Sequence, residues 1–321
     1  MEQNVTSPVT QGRASPCDRF QTAAIIDRYR NDWKLDVADH FNGMDELSLY
    51  RCEATGYRFF HPPSLAGEAA FYDAFWALDD PHVHRPEGAW RDDWQFALER
   101  IGKGERVLDV GCADGAFVER AGQIAQAEGL DENEKGCRLA QSKGLNVTCA
   151  AVADFARLHA GAFDTVTASQ VLEHVYDVAG FITALKQLVR PGGRLILSVP
   201  NNEPYYVGWT KYEPLNNPPH HIGLWNAASL RRMAEHFGLA VEEVGHLGAP
   251  DRFTLQVYRR AAILASVWKA PNQLQLGDWV KIIGASPFAL VTTLKERLAG
   301  STSNHAYVSI VLRKPEAKTA S

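Results

Sequence analysis

Val107-Leu108-Asp109-Val110-Gly111-Cys112-Ala113-Asp114-Gly115-Ala116-Phe117 decides how the rest of the chain is read. A short apolar run ends at Gly111, Gly115 follows, and Phe117, Val118, Ala121 and Ile124 then recur at helical spacing. The order is strand, glycine loop, helix. Glycine lets the backbone turn tightly and come close to a ligand. The helix start that follows offers N–H groups with no partner inside the helix.

The same alternation continues outward. Arg106–Val110 reads as a strand, and so do Gln126–Leu130, Asn146–Ala150, Phe163–Ser169, Arg194–Val199 and Ala240–Gly245. His305–Arg313 is expected as a closing strand at the sheet edge. Helices are expected at Trp90–Ile101, Gly115–Ala125, Glu134–Lys143, Ala179–Val189 and Asn226–His236, with a turn at Pro191–Gly193. Strands alternating with helices predict an α/β fold, a doubly wound, mainly parallel seven-stranded sheet.

Flanking segments read differently. Residues 1–18 are polar and are expected to be a loose tail. Residues 19–86 form an N-terminal accessory element, in which Leu47–Cys52 and Tyr57–Phe60 are strands joined at Ala54-Thr55-Gly56. Residues 79–88 read as a linker. Residues 87–250 are the expected ligand-binding core, 251–304 a helical insertion or cap, and 305–321 the closing strand and tail. The connection from Pro200 to Leu224 is longer than most and rich in aromatics: Tyr205, Tyr206, Trp209 and Tyr212, with Trp225 just after.

Composition narrows the function. The chain has 321 residues, 45% hydrophobic and 22% charged, with a net charge of −5. No dense basic block occurs, which argues against a nucleic-acid partner. The five cysteines include no C-x-x-C pair, so a scattered thiol set in a reducing, cytoplasmic compartment is expected. No apolar run reaches the roughly 18 residues of a membrane span.

Two ligand classes suit such a loop. A nicotinamide dinucleotide calls for G-x-G-x-x-G, whereas here the spacing is Gly111-x-x-x-Gly115. Asp109 decides more. A carboxylate at the strand end repels a pyrophosphate and suits a ligand carrying an ammonium and a sulfonium. S-adenosylmethionine carries both. Asp131, at the end of the next strand, can accept hydrogen bonds from both ribose hydroxyls.

These residues resemble the motifs of class I S-adenosylmethionine-dependent methyltransferases. Leu108–Gly115 is similar to the first motif, and Gly129-Leu130-Asp131-Glu132-Asn133 to the ribose-binding strand end. Ala153-Asp154-Phe155 resembles the adenine-edge motif, Phe163–Val175 the fourth-strand motif, and Leu188–Leu197 the helix, turn and strand that follow. The likeness covers about residues 89–250 and the closing strand.

It implies S-adenosyl-L-methionine as cofactor. Asp109, Gly111 and Gly115 would hold the methionine end, with Cys112 a small residue behind the loop. Asp114 would either cap the helix or touch ligand. Asp131 would bind the ribose, and Ala153 and Asp154 would lie at the adenine, with Phe155 or Leu130 against the ring. Gln170 and Val171 would line the pocket near the methyl group. The Leu49–Phe60 start and the Pro218–Trp225 loop resemble methyltransferases of bacterial polysaccharide and secondary-metabolite loci. Relatives carry paired cysteines in the first segment, but Thr55 stands at the second position here, so no zinc is expected there.

Methyl transfer to a hydroxyl usually requires a base. Glu173, His174 and His221 are the candidate catalytic residues, with His220 as the alternative within the His220-His221 pair. Glu173, His174, His220 and His221 would also suit a divalent ion, as in small-RNA 2′-O-methyltransferases. Gln170 replaces the first carboxylate of that motif, so no metal is expected. The expected reaction is O-methylation of a sugar, glycan or glycosylated small molecule. A quinone or polyketide phenol, an amine, or a catalytically silent cofactor-binding role are the alternatives, and a homodimer is a further expectation.

Overall fold

The protein is described from a computed structural model, in which residues 5–78, 91–203, 211–248, 261, 265, 275–298 and 306–316 are described. The expected linker at 79–88, Tyr205, Tyr206 and Trp209 lie outside them. So does most of the first half of the helical insertion.

Two sheets organise the described chain. The larger has seven strands: β4 (Arg106–Val110), β5 (Gln126–Asp131), β6 (Val147–Cys149), β7 (Phe163–Ser169), β8 (Val189–Pro200), β10 (Ala240–Leu247) and β11 (Tyr307–Arg313). Their order is β10-β11-β8-β7-β4-β5-β6. β8, β7, β4, β5 and β6 run parallel, and β11 pairs antiparallel with both β8 and β10. The sheet is therefore doubly wound and mainly parallel, as the alternation predicts. The closing strand is not at the edge, however. β11 inserts between β8 and β10, and the edge position falls to β10. This explains its sequence: Val308, Ile310, Val311 and Leu312 are all buried, as two covered faces require.

Side chains alternate between two cores. Leu108 and Val110 of β4, and Leu195, Leu197 and Val199 of β8, join the core formed with α7 (Val178–Leu188) and α8 (Ala227–His236). Val107 and Ile196 point the other way, toward Phe96 of α3 (Asp92–Leu98) and Phe117 of α4 (Ala116–Ala121). Asn226 caps α8 with a complete capping box with Ser229. The Pro191–Gly193 turn lies inside β8, as a register irregularity opposite Phe163 and Thr165.

The smaller sheet has the order β1-β2-β3-β9, with β1 (Ala14–Gln21), β2 (Glu46–Cys52), β3 (Arg58–His61) and β9 (Gly223–Leu224). The strand pair read from sequence is thus present. Its fourth strand comes from the long connection of the main domain, so the N-terminal element is built partly from it. Ile222 and Leu224 enter a core with Phe20, Ile25, Tyr29 and Phe60, and Tyr57 stacks on Trp225 at 4.0 Å between ring centroids.

The expected loose tail is also ordered from residue 5. Val5 and Val9 are buried in the main core, Pro8 O accepts the N–H of Ala179, and β1 begins at Ala14. Two isolated valines in a polar stretch gave no periodicity, but each fills a pocket on a hydrophobic face. α9 (Leu276–Leu298) carries Pro287 and exposes Ile283, Phe288 and Val291. No helix among the described residues is long and apolar enough to cross a membrane.

Candidate functional site

A cavity of about 460 Å³ opens at the carboxyl ends of β4, β5 and β7, within the size range of small-ligand sites. Val110 and Gly111 after β4, Leu130 and Asp131 at the end of β5, and Val171 and His174 after β7 are among its lining residues. This is where an open parallel sheet places its ligands, outside the strand ends.

Gly111 has φ +76°, and a Cβ there would lie 2.4 Å from Cγ2 of Val171. Any side chain here is therefore strained and must displace Val171. Gly115 also has a positive φ, +79°, but a Cβ there would strike Leu145 at 2.5 Å and Ala140 at 3.0 Å. It permits close helix packing against α5 (Glu134–Ser142) and is not part of the cavity wall. Cys112 is buried with Val118, Cys137 and Ala140 and is not among the residues lining the cavity.

Asp131 fastens the loop. One oxygen accepts the N–H of Ala113 at 2.8 Å and the other that of Asn133 at 2.7 Å. Each carboxylate oxygen keeps a second lone pair for a ligand hydroxyl. Asp109 sits deeper, with 6% exposure, and accepts the hydroxyl of Thr167 at 2.6 Å. Burial pushes its carboxyl up to about 7, against the lowering effect of that bond and of Arg91.

Leu130 lines the cavity and Phe155 does not; the Phe155 ring stacks on His159 at 4.1 Å, and both side chains are buried in the same core. Asp154 is exposed on the first turn of α6 (Val152–Leu158) and bonds to Arg157. Ala151, Val152 and Ala153 form the wall there. Asp114 accepts the N–H of Ala116 and pairs with Lys143 at 2.8 Å, so it serves the helix start. Val171 lines the cavity. Gln170 does not; it holds φ +58° at the end of β7, and its side-chain nitrogen is buried with no hydrogen-bond partner among the described residues.

Sequence reasoning missed Asp177, Gly180 and Phe181, which close the cavity from the start of α7. The capping of Gly180 N–H by Asp177 was the available signal.

The histidine cluster comes together from three segments. His174 follows β7, His220 and His221 come from the long connection, and Tyr72 from α2 (Ala69–Trp76) of the N-terminal element. His174 donates its Nδ1–H to the carbonyl of His220 at 2.7 Å, because a carbonyl can only accept. Tyr72 Oη lies 3.0 Å from the same nitrogen and donates to the His220 carbonyl at 3.2 Å. The Nε2 of His174 therefore carries the lone pair. Burial lowers His174 to about 4 and drives His220 and His221 well below the usual histidine range, so all three are neutral.

Glu173 stands beside them at 1% side-chain exposure, 3.9 Å from Nε2 of His174 and 4.0 Å from Nε2 of His221. Burial pushes it up to about 8, and neither carboxylate oxygen has a hydrogen-bond partner among the described residues. Tyr29 holds the connection in place, donating to the carbonyls of Pro214 and Asn217 at 2.9 Å each.

The cavity fits the cofactor expected from the sequence. It offers apolar side chains at Leu130, Ala151 and Val152 and a carboxylate at Asp131 for two vicinal hydroxyls, while Asp109 is buried next to the lining residues Val110 and Gly111 in sequence and is not itself in the lining.

Comparison with known proteins gives the same direction. The sequence profile of the methyltransferase-domain family matches residues 82–244. A ubiquinone biosynthesis O-methyltransferase of Thiobacillus denitrificans is 36% identical over 155 residues, 44% of this chain and 67% of that protein. One from Chromobacterium violaceum is 35% identical over 159 residues, 45% of this chain and 68% of that protein. Among solved structures, an S-adenosylmethionine-dependent methyltransferase from Archaeoglobus fulgidus superposes with a TM-score of 0.46 at 16% identity, over 69% of this chain and 94% of that one.

Proposed function

The chain belongs to the methyltransferase-domain family, with a class I fold and S-adenosyl-L-methionine as its cofactor, and we propose that it transfers the methyl group to a phenolic hydroxyl of a small aromatic acceptor related to quinone precursors. The observation that carries this reading is His174: a neutral imidazole on the cavity wall, with its lone pair on Nε2. The matched relatives are named for ubiquinone biosynthesis. They favour the phenol over the sugar or glycan hydroxyl expected from the sequence.

The bound cofactor supplies an electrophilic methyl group on a positive sulfur. Asp131 would hold the ribose hydroxyls, and Asp109 would face the methionine ammonium. Val171 and Gly111 would fix the sulfur end, so that an acceptor oxygen can lie in line with the methyl group. As the new C–O bond forms, the hydroxyl proton has to leave. His174 can take it at Nε2, with Nδ1–H anchored on the His220 carbonyl so that the ring does not turn. A phenol suits so weak a base, because its proton is far more acidic than that of a sugar hydroxyl.

The test is a labelled-methyl assay on the purified full chain, with catechols and prenylated phenols set against nucleotide sugars and primary amines. Label in the phenols supports the reading. Label confined to sugars restores the glycan acceptor, and label confined to amines removes the need for a base. No label despite demonstrated cofactor binding indicates a silent binding partner.

A further inference from the structure

Most of the large apolar side chains exposed among the described residues belong to one helix, α9. Leu276, Val280, Ile283, Val291 and Leu294 recur at helical spacing and so share one stripe of its surface. Their exposure runs from 44% at Leu294 to 82% at Leu276. Pro287 fills the gap in the series, so the stripe carries no charged residue from end to end. Phe288 lies beside it and is also exposed. The helix is anchored from the other side, where Ile282 and Ala289 are buried with Ala261. A helix with apolar residues on both faces is ordinarily covered on both. An apolar surface of this extent marks a place where the protein meets something else.

The charge around it says what that is. Residues 251–304 contain seven Lys or Arg and three Asp or Glu, a net charge of +4. The whole chain carries −5, so the remainder carries −9. The one positively charged segment of an acidic protein is therefore the one that holds the uncovered apolar stripe. Lys281, on the helix itself, is exposed. Apolar side chains together with basic residues are what an anionic lipid surface binds: the apolar groups enter the boundary between headgroups and acyl chains, and the cations stay with the headgroups.

We propose that α9 docks the protein on the surface of an anionic lipid bilayer, with the stripe from Leu276 to Leu294 lying in the interface. The helix lies on the membrane and does not cross it, since no helix among the described residues is long and apolar enough to span. A second copy of the chain is the less suitable occupant. A two-fold pair through this face would bring one +4 segment against another, and like charges brought together oppose association. The inference stands apart from the acceptor proposed above, because lipid binding is measured without methyl transfer.

The experiment mixes the purified full chain with vesicles of phosphatidylcholine alone and of phosphatidylcholine with phosphatidylglycerol, and reads the fraction that floats with lipid. The expected result is binding to the anionic vesicles, weaker binding to the neutral ones, and loss of the difference between them at high salt. The double variant Ile283→Glu/Val291→Glu should lower partitioning into anionic vesicles by at least about tenfold, because it sets two carboxylates in the apolar stripe. Its S-adenosylmethionine affinity should stay within threefold of the unmodified chain, which shows that it folds. Should it not fold, Lys281→Ala gives the second measurement, with a smaller loss confined to anionic vesicles. Equal binding of the double variant and the unmodified chain overturns the proposal, as does equal binding to neutral and anionic vesicles. No vesicle binding also overturns it, and a dimer that the double variant dissociates would then assign the face to a second copy.

Discussion

The carboxylate of Asp131 accepts the backbone N–H of Ala113 at 2.8 Å, tying the end of β5 to the loop that follows β4. Ala113 holds φ +48°, an uncommon conformation for alanine, and this bond helps to fix it there. Asp131 thus shapes the loop as well as lining the cavity. Asp131→Ala removes both roles and should weaken S-adenosylmethionine binding by at least tenfold, while lowering the thermal midpoint by a few degrees, as expected for about 1 kcal/mol. Asp131→Asn keeps one acceptor oxygen and should lie between. Calorimetric titration and a melting curve measure the two effects, and unchanged affinity in Asp131→Ala would remove the ribose assignment.

Gly111 and Gly115 should fail in different ways. Gly111→Ala drives its Cβ against Val171 on the cavity wall, so cofactor affinity should fall at least tenfold. Gly115→Ala collides with Leu145 and Ala140 away from the cavity, so thermal stability should fall while affinity in the remaining folded protein stays within threefold. Both also bear a left-handed backbone cost of roughly 1–2 kcal/mol for alanine. Adding Val171→Ala to Gly111→Ala should restore part of the binding and none of the backbone strain. Equal loss of binding at both glycines would mean that the whole loop, and not Gly111 alone, holds the ligand.

The parts legible in the sequence are those with a local cause. Arg106–Val110 and Phe163–Ser169 are bounded as their apolar runs and turn residues dictate, and Asn226 caps its helix as its position suggests. What escaped depends on contacts far apart in the chain. Val5 and Val9 carry no pattern, β11 was assigned to an edge that β10 occupies, and Gly223–Leu224 become a strand only because β3 lies beside them. At the site, the loop and Asp131 were readable from spacing. The meeting of Tyr72, His174 and His220 was not, because three separate segments supply it. The Ala153–Phe155 motif does not tell from sequence that Ala153 and Leu130 line the cavity while Phe155, which shares its core with Leu130, does not.

Asp109 predicts a pH dependence of definite sign. Burial raises its folded-state pKa to about 7, whereas an unfolded aspartate titrates near 3.9. Below about pH 4 the group is protonated in both states, and its contribution to stability is complete. That contribution is lost as pH rises toward 7 and the unfolded chain ionises first. The ligand-free protein should therefore melt at a lower temperature at pH 7 than at pH 5 by this term. Cofactor binding runs the other way: a bound ammonium favours the ionised carboxylate, so affinity should rise up to tenfold per pH unit below 7 and then level off. Asp109→Asn should flatten both profiles. A wild-type affinity that is constant from pH 6 to pH 8 would detach Asp109 from the ammonium.

His174 separates chemistry from binding. His174→Ala removes the lone pair on the cavity wall and should lower kcat by about 10²-fold or more, the usual range for a lost general base. S-adenosylmethionine affinity should change less than threefold, since Gly111, Leu130, Asp131 and Val171, and not His174, are the lining residues assigned to the cofactor. Steady-state kinetics with a phenolic acceptor and a separate cofactor titration give the two numbers. A fall in affinity without a fall in kcat would make His174 part of the cofactor wall.

Tyr72 tests whether the N-terminal element takes part in the reaction. Its hydroxyl lies 3.0 Å from Nδ1 of His174 and donates to the His220 carbonyl at 3.2 Å, while its ring packs edge-on against Phe71 with centroids 5.1 Å apart. Tyr72→Phe keeps the ring and removes only the hydroxyl. The His220 carbonyl still accepts from His174, so no buried acceptor is orphaned and stability should change by less than about 1 kcal/mol. What is lost is the second constraint on the His174 ring. If that constraint keeps Nε2 aimed at the acceptor, kcat should fall by about fivefold, the equivalent of roughly one net hydrogen bond, with KM for the cofactor unchanged. The conservative variant is the informative one, because Tyr72→Ala would also open the packing among Phe71, Phe75 and His220 and confuse loss of position with loss of fold. A Tyr72→Phe enzyme with full kcat would leave the N-terminal element with a covering role only.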